Sequence, residues 1–192
     1  METLQDLFVE ELKDLYSAEK QIVKALPKVI RGAKTADLKT AITEHLEITK
    51  KQVARLEEVF GHVDQKPKAK HCKGMEGLLK EGSEALEEEE AGSLRDLQLI
   101  GAAQRVEHYE VAAYGTARAM AEKLGLQEAV ELLSQTLEEE TEADVKLTEV
   151  AESIYGEVEQ GEEEEDEGEK MNRGNGRVSS GRKTTPKKKG GR

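Results

Sequence analysis

The sequence predicts an all-α fold, a bundle of long, mostly antiparallel helices over residues 1–156. Composition is the first observation behind this. Ala, Leu, Glu and Lys dominate, aromatics make up 3% of the 192 residues and there are three prolines, a mixture that favours helix over sheet. The second is periodicity, because apolar side chains recur three and four residues apart with no strand-like alternation. The third is punctuation, with Gly or short polar stretches separating the apolar stripes.

Thr3 is placed to cap a first helix over residues 3–32, whose stripe runs Leu4, Leu7, Phe8, Leu12, Leu15, Ile22, Leu26 and Val29. Pro27 falls late in that stripe, where it bends a helix rather than ending it, and Gly32 offers the stop. A second helix, Ala36 to Gly61, repeats the pattern through Leu38, Ile42, Leu46, Val53, Leu56 and Phe60. The link between them is short enough to make an antiparallel hairpin. Residues 62–73, HVDQKPKAKHCK, are polar, contain Pro67 and read as a loop. A shorter helix from Met75 to Glu90, a fourth from Leu94 to Leu124 and a fifth from Gln127 to Tyr155 follow, the last two joined by a tight turn at Gly125. Two long hairpins bracketing a connection that can run the length of a bundle predict a ferritin-like four-helix bundle with a short extra helix in the crossover.

Charge divides the chain. Glu157 to Glu169 holds nine acids and no base, and Lys170 to Arg192 nine bases and no acid, so the whole formal charge of -12 belongs to residues 1–156. An acidic body does not seek nucleic acid or anionic lipid. Residues 157–192 lack the apolar content to offset their ordering entropy and are expected to be a disordered tail, acidic then basic. Its Arg177, Arg182, Lys183, Lys187, Lys188, Lys189 and Arg192 can contact nucleic-acid phosphates, but with the acidic run competing and no aromatics to stack bases, a solvated extension is the favoured reading. Cys72 alone cannot close an intramolecular disulfide, and METLQDLFVEELKD is acidic where a signal peptide is basic and then apolar. With no apolar run near the roughly 18 residues of a membrane span, a cytoplasmic location is expected. Lys70, His71 and Lys73 flank Cys72 and favour a thiolate, although a plain packing residue is the simpler reading.

Polar residues interrupt the buried stripes at comparable depths. Glu19 lies near the middle of the first helix, with Glu11 on the same face. On the second, Leu38, Ile42, His45, Thr49, Gln52 and Leu56 track one face. The fourth places Gln104, Glu107, His108 and Val111 inward with Glu110 at the edge, and the fifth aligns Leu133, Leu137, Glu140, Asp144, Leu147 and Ala151. Glu107 precedes the turn at Gly125 by about as many residues as Glu140 and Asp144 follow it, so at about 1.5 Å per residue they meet at similar height. Glu19 and Thr49 are likewise nearly equidistant from the first turn, with His45 about one helical turn nearer. Buried carboxylates facing one another repel or take up protons unless a cation lies between them. Oxygen and imidazole donors without thiolates suit iron or manganese, and helices presenting carboxylates inward are how ferritin-like proteins build a two-metal centre.

The strings ELKDLYSAEKQ (11–21), EHLEITKKQVARLEEVF (44–60), CKGMEGLLKEG (72–82), VEHYEVAAYG (106–115) and LEEETEADVKL (137–147) resemble, in order and spacing, the YciE/YciF family of bacterial stress proteins, part of the ferritin-like superfamily. The resemblance implies a dimeric helical bundle with a stress-linked role of undefined biochemistry. Glu107 and Glu110 resemble the E-x-x-E of rubrerythrin's third bundle helix, which also carries a tyrosine at the place of Tyr114, and Glu19 is similar in placement to the first-helix glutamate. Where the superfamily usually has E-x-x-H, this chain has Thr49 with Gln52 and Glu140 with Asp144, which leaves His45 as the second-helix ligand.

Together these readings predict two iron or manganese ions held by Glu19, His45, Glu107, Glu110, Glu140 and Asp144, with redox work on oxygen or peroxide as the chemistry they would support. No Gly-rich phosphate loop, paired-cysteine zinc pattern or serine-centred triad stands beside them. The alternative is a metal-free dimeric interaction protein whose basic tail contacts nucleic acid or a partner.

Overall fold

The structure, a computed structural model, describes residues 2–88 and 91–175. Five helices follow in order: α1 Leu4–Gly32, α2 Ala36–Gly61, α3 Lys73–Glu88, α4 Ser93–Leu124 and α5 Gln127–Asn175. Among the described residues there is no strand.

A capping box starts α1: Thr3 Oγ1 accepts from the Asp6 amide at 3.1 Å, and the Asp6 carboxylate accepts from the Thr3 amide at 3.1 Å. Pro27 stays inside the helix. Phe8, Leu12, Leu15, Ile22 and Leu26 are buried as the stripe requires, whereas Leu4 and Leu7 at its start are exposed. The turn into α2 is stabilised from a distance. Asp96, fully buried near the start of α4, accepts from the Lys34 amide at 2.8 Å and the Thr35 amide at 2.7 Å. The carboxylate satisfies the amides of the link itself, Lys34 and the N-cap Thr35, and lies beside the first turn of α2, where negative charge is favoured. Gly125, at φ 72°, ends α4 in the left-handed conformation that glycine adopts without strain.

One apolar cluster gathers four of the helices. Phe8, Leu12, Leu15 and Tyr16 of α1 pack with Leu56, Val59 and Phe60 of α2, Tyr114, Ala117 and Ala121 of α4, and Ala129 and Leu133 of α5. Side-chain bonds give the directions. Gln52 and Arg55 of α2 reach Glu139 and Thr136 of α5, numbers rising on one helix as they fall on the other, so the pair is antiparallel. Asp96 at the start of α4 bonds the link that follows the end of α1, while Ala117 and Ala121 near the end of α4 pack with Phe8 and Leu12 at the start of α1, so α1 and α4 are antiparallel too. This apolar cluster holds the α4–α5 turn end of the helices, and the polar residues of interest lie next along them.

The chain divides after Tyr155 into two units, and everything described above belongs to the first. In the second, the acidic run after Tyr155 continues α5 to Asn175 instead of standing apart from it as a tail. Adding residues to an existing helix carries no nucleation cost, and glutamate is a good helix former, so a helix outlasts its apolar stripe. The basic stretch from Arg177 to Arg192 lies outside the described residues.

Candidate metal centre

Four helices deliver five acidic or imidazole groups to a similar depth. Glu19 comes from α1, His45 from α2, Glu107 and Glu110 from α4 and Glu140 from α5, with relative exposures of 0, 6, 3, 1 and 0%. One ligand-type atom from each of His45, Glu107, Glu110 and Glu140 lies within 4.8 Å of the others. Glu107 and Glu110 stand one turn apart on α4, on the row that continues to Tyr114, Ala117 and Ala121. The inner face of α4 is therefore centred on Glu107 and Glu110. His108, read from the sequence as inward-facing, has 72% side-chain exposure, and Glu110, read as an edge residue, is enclosed.

Asp144 is not brought into this set. It is half-buried, accepts from Gln104 Nε2 at 3.0 Å and lies 3.4 Å from His108 Nε2, facing α4 at the rim. One helical turn beyond Glu140, it has rotated enough for a neighbouring helix to claim it. Thr49 is buried on the face of His45, but its hydroxyl donates to the His45 carbonyl at 2.8 Å and is committed to its own helix.

Each member of the cluster keeps at least one buried polar atom without a protein partner. Glu19 Oε2, both ring nitrogens of His45, Glu107 Oε2, Glu110 Oε1 and Glu140 Oε2 are buried without a hydrogen-bond partner. His45 Nε2 lies 3.5 Å from Glu107 Oε1 and 3.9 Å from Glu140 Oε2, proximity without the geometry of a hydrogen bond. Burial pushes the imidazole's pKa down against the pull of Glu140 and Glu139, so His45 is neutral, the state in which imidazole binds metals. Burial first and the neighbouring carboxylates next hold Glu107 and Glu110 well above the ordinary carboxylate range. Glu19 is raised for the same two reasons, less the opposing effect of its bond from Tyr114. Without a cation, such a cluster retains protons.

The outward-facing atoms are held by donors. Tyr114 donates to Glu19 Oε1, and Gln52 Nε2 donates to Glu140 Oε1 and, at 3.1 Å, to Glu139 Oε2. Arg55, also buried, donates to Thr136 Oγ1 at 2.6 Å and to both Glu139 oxygens at 2.8 and 2.9 Å. Bonds of this kind fix a carboxylate's orientation and turn its remaining lone pairs inward. The sequence pattern marks Gln52 as polar on an inner face, and Gln52 supplies a donor to Glu140 at the place where a ligand stands in E-x-x-H. Arg55, Thr136 and Glu139 had no such signal, because a charged residue near the end of an amphipathic stripe reads as solvent-facing. A cavity of about 260 Å3 opens beside the cluster between α2 and α5, lined by His45 and Glu107 within and by Glu44, Glu139, Glu142 and Lys146 toward its mouth.

Cys72 is buried. Its Sγ lies 3.0 Å from the Tyr109 hydroxyl, which donates to Asp14 Oδ2 at 3.0 Å. Burial, aided by Asp14, pushes the thiol up, opposite to the thiolate that its basic sequence neighbours suggest. Those neighbours point to solvent while the cysteine points inward.

Residues 3–159 match the family model described as a domain of unknown function, DUF892. The chain is 45% identical over 152 residues to Protein YciF of Escherichia coli (strain K12), covering 79% of this chain and 92% of that protein. The crystal structure of the E. coli stress protein YciF superposes with a TM-score of 0.79 at 44% identity, covering 81% of this chain and 99% of the other. YcfI of Rhodopseudomonas palustris is similar at 44% identity and a TM-score of 0.75, over 77% and 94% of the two chains. A protein of Xanthomonas campestris pv. campestris shares the fold alone, at 21% identity and a TM-score of 0.66, over 84% and 99%. From Thr3 through the whole buried cluster and past Tyr155, the chain belongs to the DUF892 family, with YciF among its relatives.

Proposed function

We propose that the chain is a ferritin-like four-helix metal protein in which Glu19, His45, Glu107, Glu110 and Glu140 hold two iron or manganese ions, with Asp144 at the rim. The observation that carries this reading is that His45, Glu107, Glu110 and Glu140, from three helices, bring ligand atoms within 4.8 Å of one another while they and the neighbouring Glu19 of α1 keep buried oxygen and nitrogen atoms without a partner. Buried polar atoms are almost always bonded, so a concentration of exceptions in one place calls for a ligand. Charge supports the number of ions. Glu19, Glu107, Glu110 and Glu140 together carry four negative charges when ionised, His45 is neutral, and two divalent cations balance them. A carboxylate-rich donor set with one imidazole suits iron or manganese.

Bound metal of this kind would supply redox chemistry toward oxygen or peroxide. The chain's own contribution is to fix the donors from behind through Tyr114 and Gln52, to keep His45 unprotonated, and to place Glu44 and Glu142, beside Lys146 and the Arg55-paired Glu139, at the mouth. YciF of E. coli is described as a stress protein, and a stress-linked, cytoplasmic role is part of the reading for this chain; no helix among the described residues is long and apolar enough to cross a membrane. A homodimer is included as well. Leu4, Val111, Ala112, Gly115, Ala119 and Met120 border a shallow surface depression on the outer side of α4, a face suited to a second copy. The metal-free alternative, with nucleic acid or a partner on the basic tail, rests on side chains outside the described residues.

Metal analysis of protein purified from iron- or manganese-supplemented medium tests the reading. Near-stoichiometric metal that is lost in the double variant Glu19→Ala, Glu140→Ala supports it, and a folded wild-type protein free of iron and manganese refutes it.

A further inference from the structure

A second cavity reaches the cluster, and its chemistry is unlike that of the charged mouth. It measures about 140 Å3, and Ile22, Leu26, Leu78, Leu86, Leu99 and Ala102 of α1, α3 and α4 supply its walls. The polar groups that reach it are Lys28 and Ser83, where α1 meets α3, and Glu107 of the cluster. Lys28 Nζ is engaged across that boundary, 2.6 Å from Ser83 Oγ and 3.3 Å from Glu87 Oε1. Glu107 therefore borders both openings, the charged one and the apolar one.

The sequence explains why the space exists. Gly82 of α3 faces Ala102 of α4, where an added Cβ would lie 3.5 Å from the Ala102 Cβ, and Ala103 is the next small residue on the wall. Small residues on both facing helices leave a void that a Leu would fill. Close-packed interiors keep few voids larger than a water molecule, because an unfilled one destabilises the fold. Water is a poor occupant here, since it needs two to four polar partners and Lys28 and Ser83 already bond each other. Dry apolar cavities of about 150 Å3 take up benzene or xenon.

We propose that this cavity is a binding site for a small, uncharged apolar molecule, up to about the size of a benzene ring, held with one end against Glu107. Its role as a co-substrate of the metal centre rests on the reading above, whereas its binding does not. An ionic ligand is disfavoured because Lys28 is already paired. Leu78 and Leu86 of α3, half-buried, line the space on its outer side.

Xenon is the probe. In the full chain stripped of metal, methyl resonances are followed under rising xenon pressure. Saturable shifts confined to Leu78, Leu86, Leu99, Ala102 and neighbouring methyls are expected, and their loss in Gly82→Leu. Ala103→Leu fills the space from the other helix and gives the same test if the first variant does not fold. Shifts that are absent, that spread without saturation over the surface, or that persist in the folded filled variants overturn the proposal. Metal content is measured separately on the same preparation. Saturable xenon shifts in a chain that takes up no metal uphold the cavity and remove the metal centre; metal uptake without xenon shifts does the reverse.

Discussion

Tyr114 on α4 donates its hydroxyl hydrogen to Oε1 of Glu19 on α1, both side chains fully enclosed, while Oε2 of the same glutamate has no partner. One oxygen is thus tied to the wall and the other is left facing the cluster. The bond does two jobs, joining two antiparallel helices and fixing a donor atom for a cation.

Tyr114→Phe separates these roles. Removing a bond behind a ligand costs about 10–100-fold in metal affinity, while loss of one buried hydroxyl bond costs about 1 kcal/mol of stability. Calorimetric titration with Mn2+ is expected to show weaker binding by about tenfold or more, in a protein whose thermal unfolding shifts by only a few degrees. Unchanged affinity would detach Tyr114 from the centre.

The cluster also gives the metal-free protein an inverted pH dependence. Glu19, Glu107 and Glu110 are raised above the ordinary 4.5, so folding binds protons that the unfolded chain releases. The stability from these groups is whole below about 4.5 and is lost as pH rises through their folded values. Urea denaturation in the presence of a chelator should therefore show more stability near pH 5 than near pH 8. Glu110→Gln keeps the shape without the charge, and it should flatten the slope and raise metal-free stability at pH 8. Metal binding should release protons, read as acidification of a weakly buffered solution.

The helix boundaries up to the start of α5 were legible because each coincides with a local signal: the Thr3 cap, the polar link before Ala36, the loop with Pro67, Gly92 and Gly125; the end of α5, expected at Tyr155, was not. The depth of Glu19, His45, Glu107 and Glu140 was legible too, since a carboxylate or imidazole in the middle of an apolar stripe has nowhere else to go. Small angular differences were not. Asp144 and Glu110 sit a few tens of degrees from the centre of their faces, and whether they turn in or out depends on which neighbouring helix supplies a partner. Long-range polar bonds were the least readable. Asp96 holding the α1–α2 turn, and Arg55 reaching Glu139, join residues whose local sequence contexts are ordinary for a helix surface.

Arg55 is where that hidden order is measurable. Its guanidinium contacts Glu139 bidentately and Thr136 once, at 8% exposure, while Glu139 itself is partly open to solvent, and the pairing holds Glu139 below its ordinary pKa despite the burial that opposes it. Arg55→Met preserves the stem and removes the donors. With Glu139 able to recover some hydration, the expected loss is about 1–3 kcal/mol, measured by urea denaturation at pH 7. Because Glu139 shares Gln52 with Glu140, a decrease in Mn2+ affinity should accompany it.

Cys72 supplies the last prediction, in which sequence context and three-dimensional context oppose each other. Lysines and a histidine beside a cysteine ordinarily lower its pKa, and a modifying reagent would be expected to find it quickly. Here the thiol turns away from them, 1% exposed, beneath Tyr109 and close to the Asp14 carboxylate, which disfavours a second negative charge. Gly74 makes this closeness feasible: a Cβ there would sit 2.8 Å from the Tyr109 ring. The folded protein should therefore react with a disulfide reagent such as Ellman's at least about a hundredfold more slowly than the urea-unfolded chain, since attack needs both exposure and thiolate. Gly74→Val should speed the reaction by forcing Tyr109 aside, whereas Lys73→Ala should leave it unchanged. A fast native reaction that slows in Lys73→Ala would mean that the basic loop governs the thiol after all.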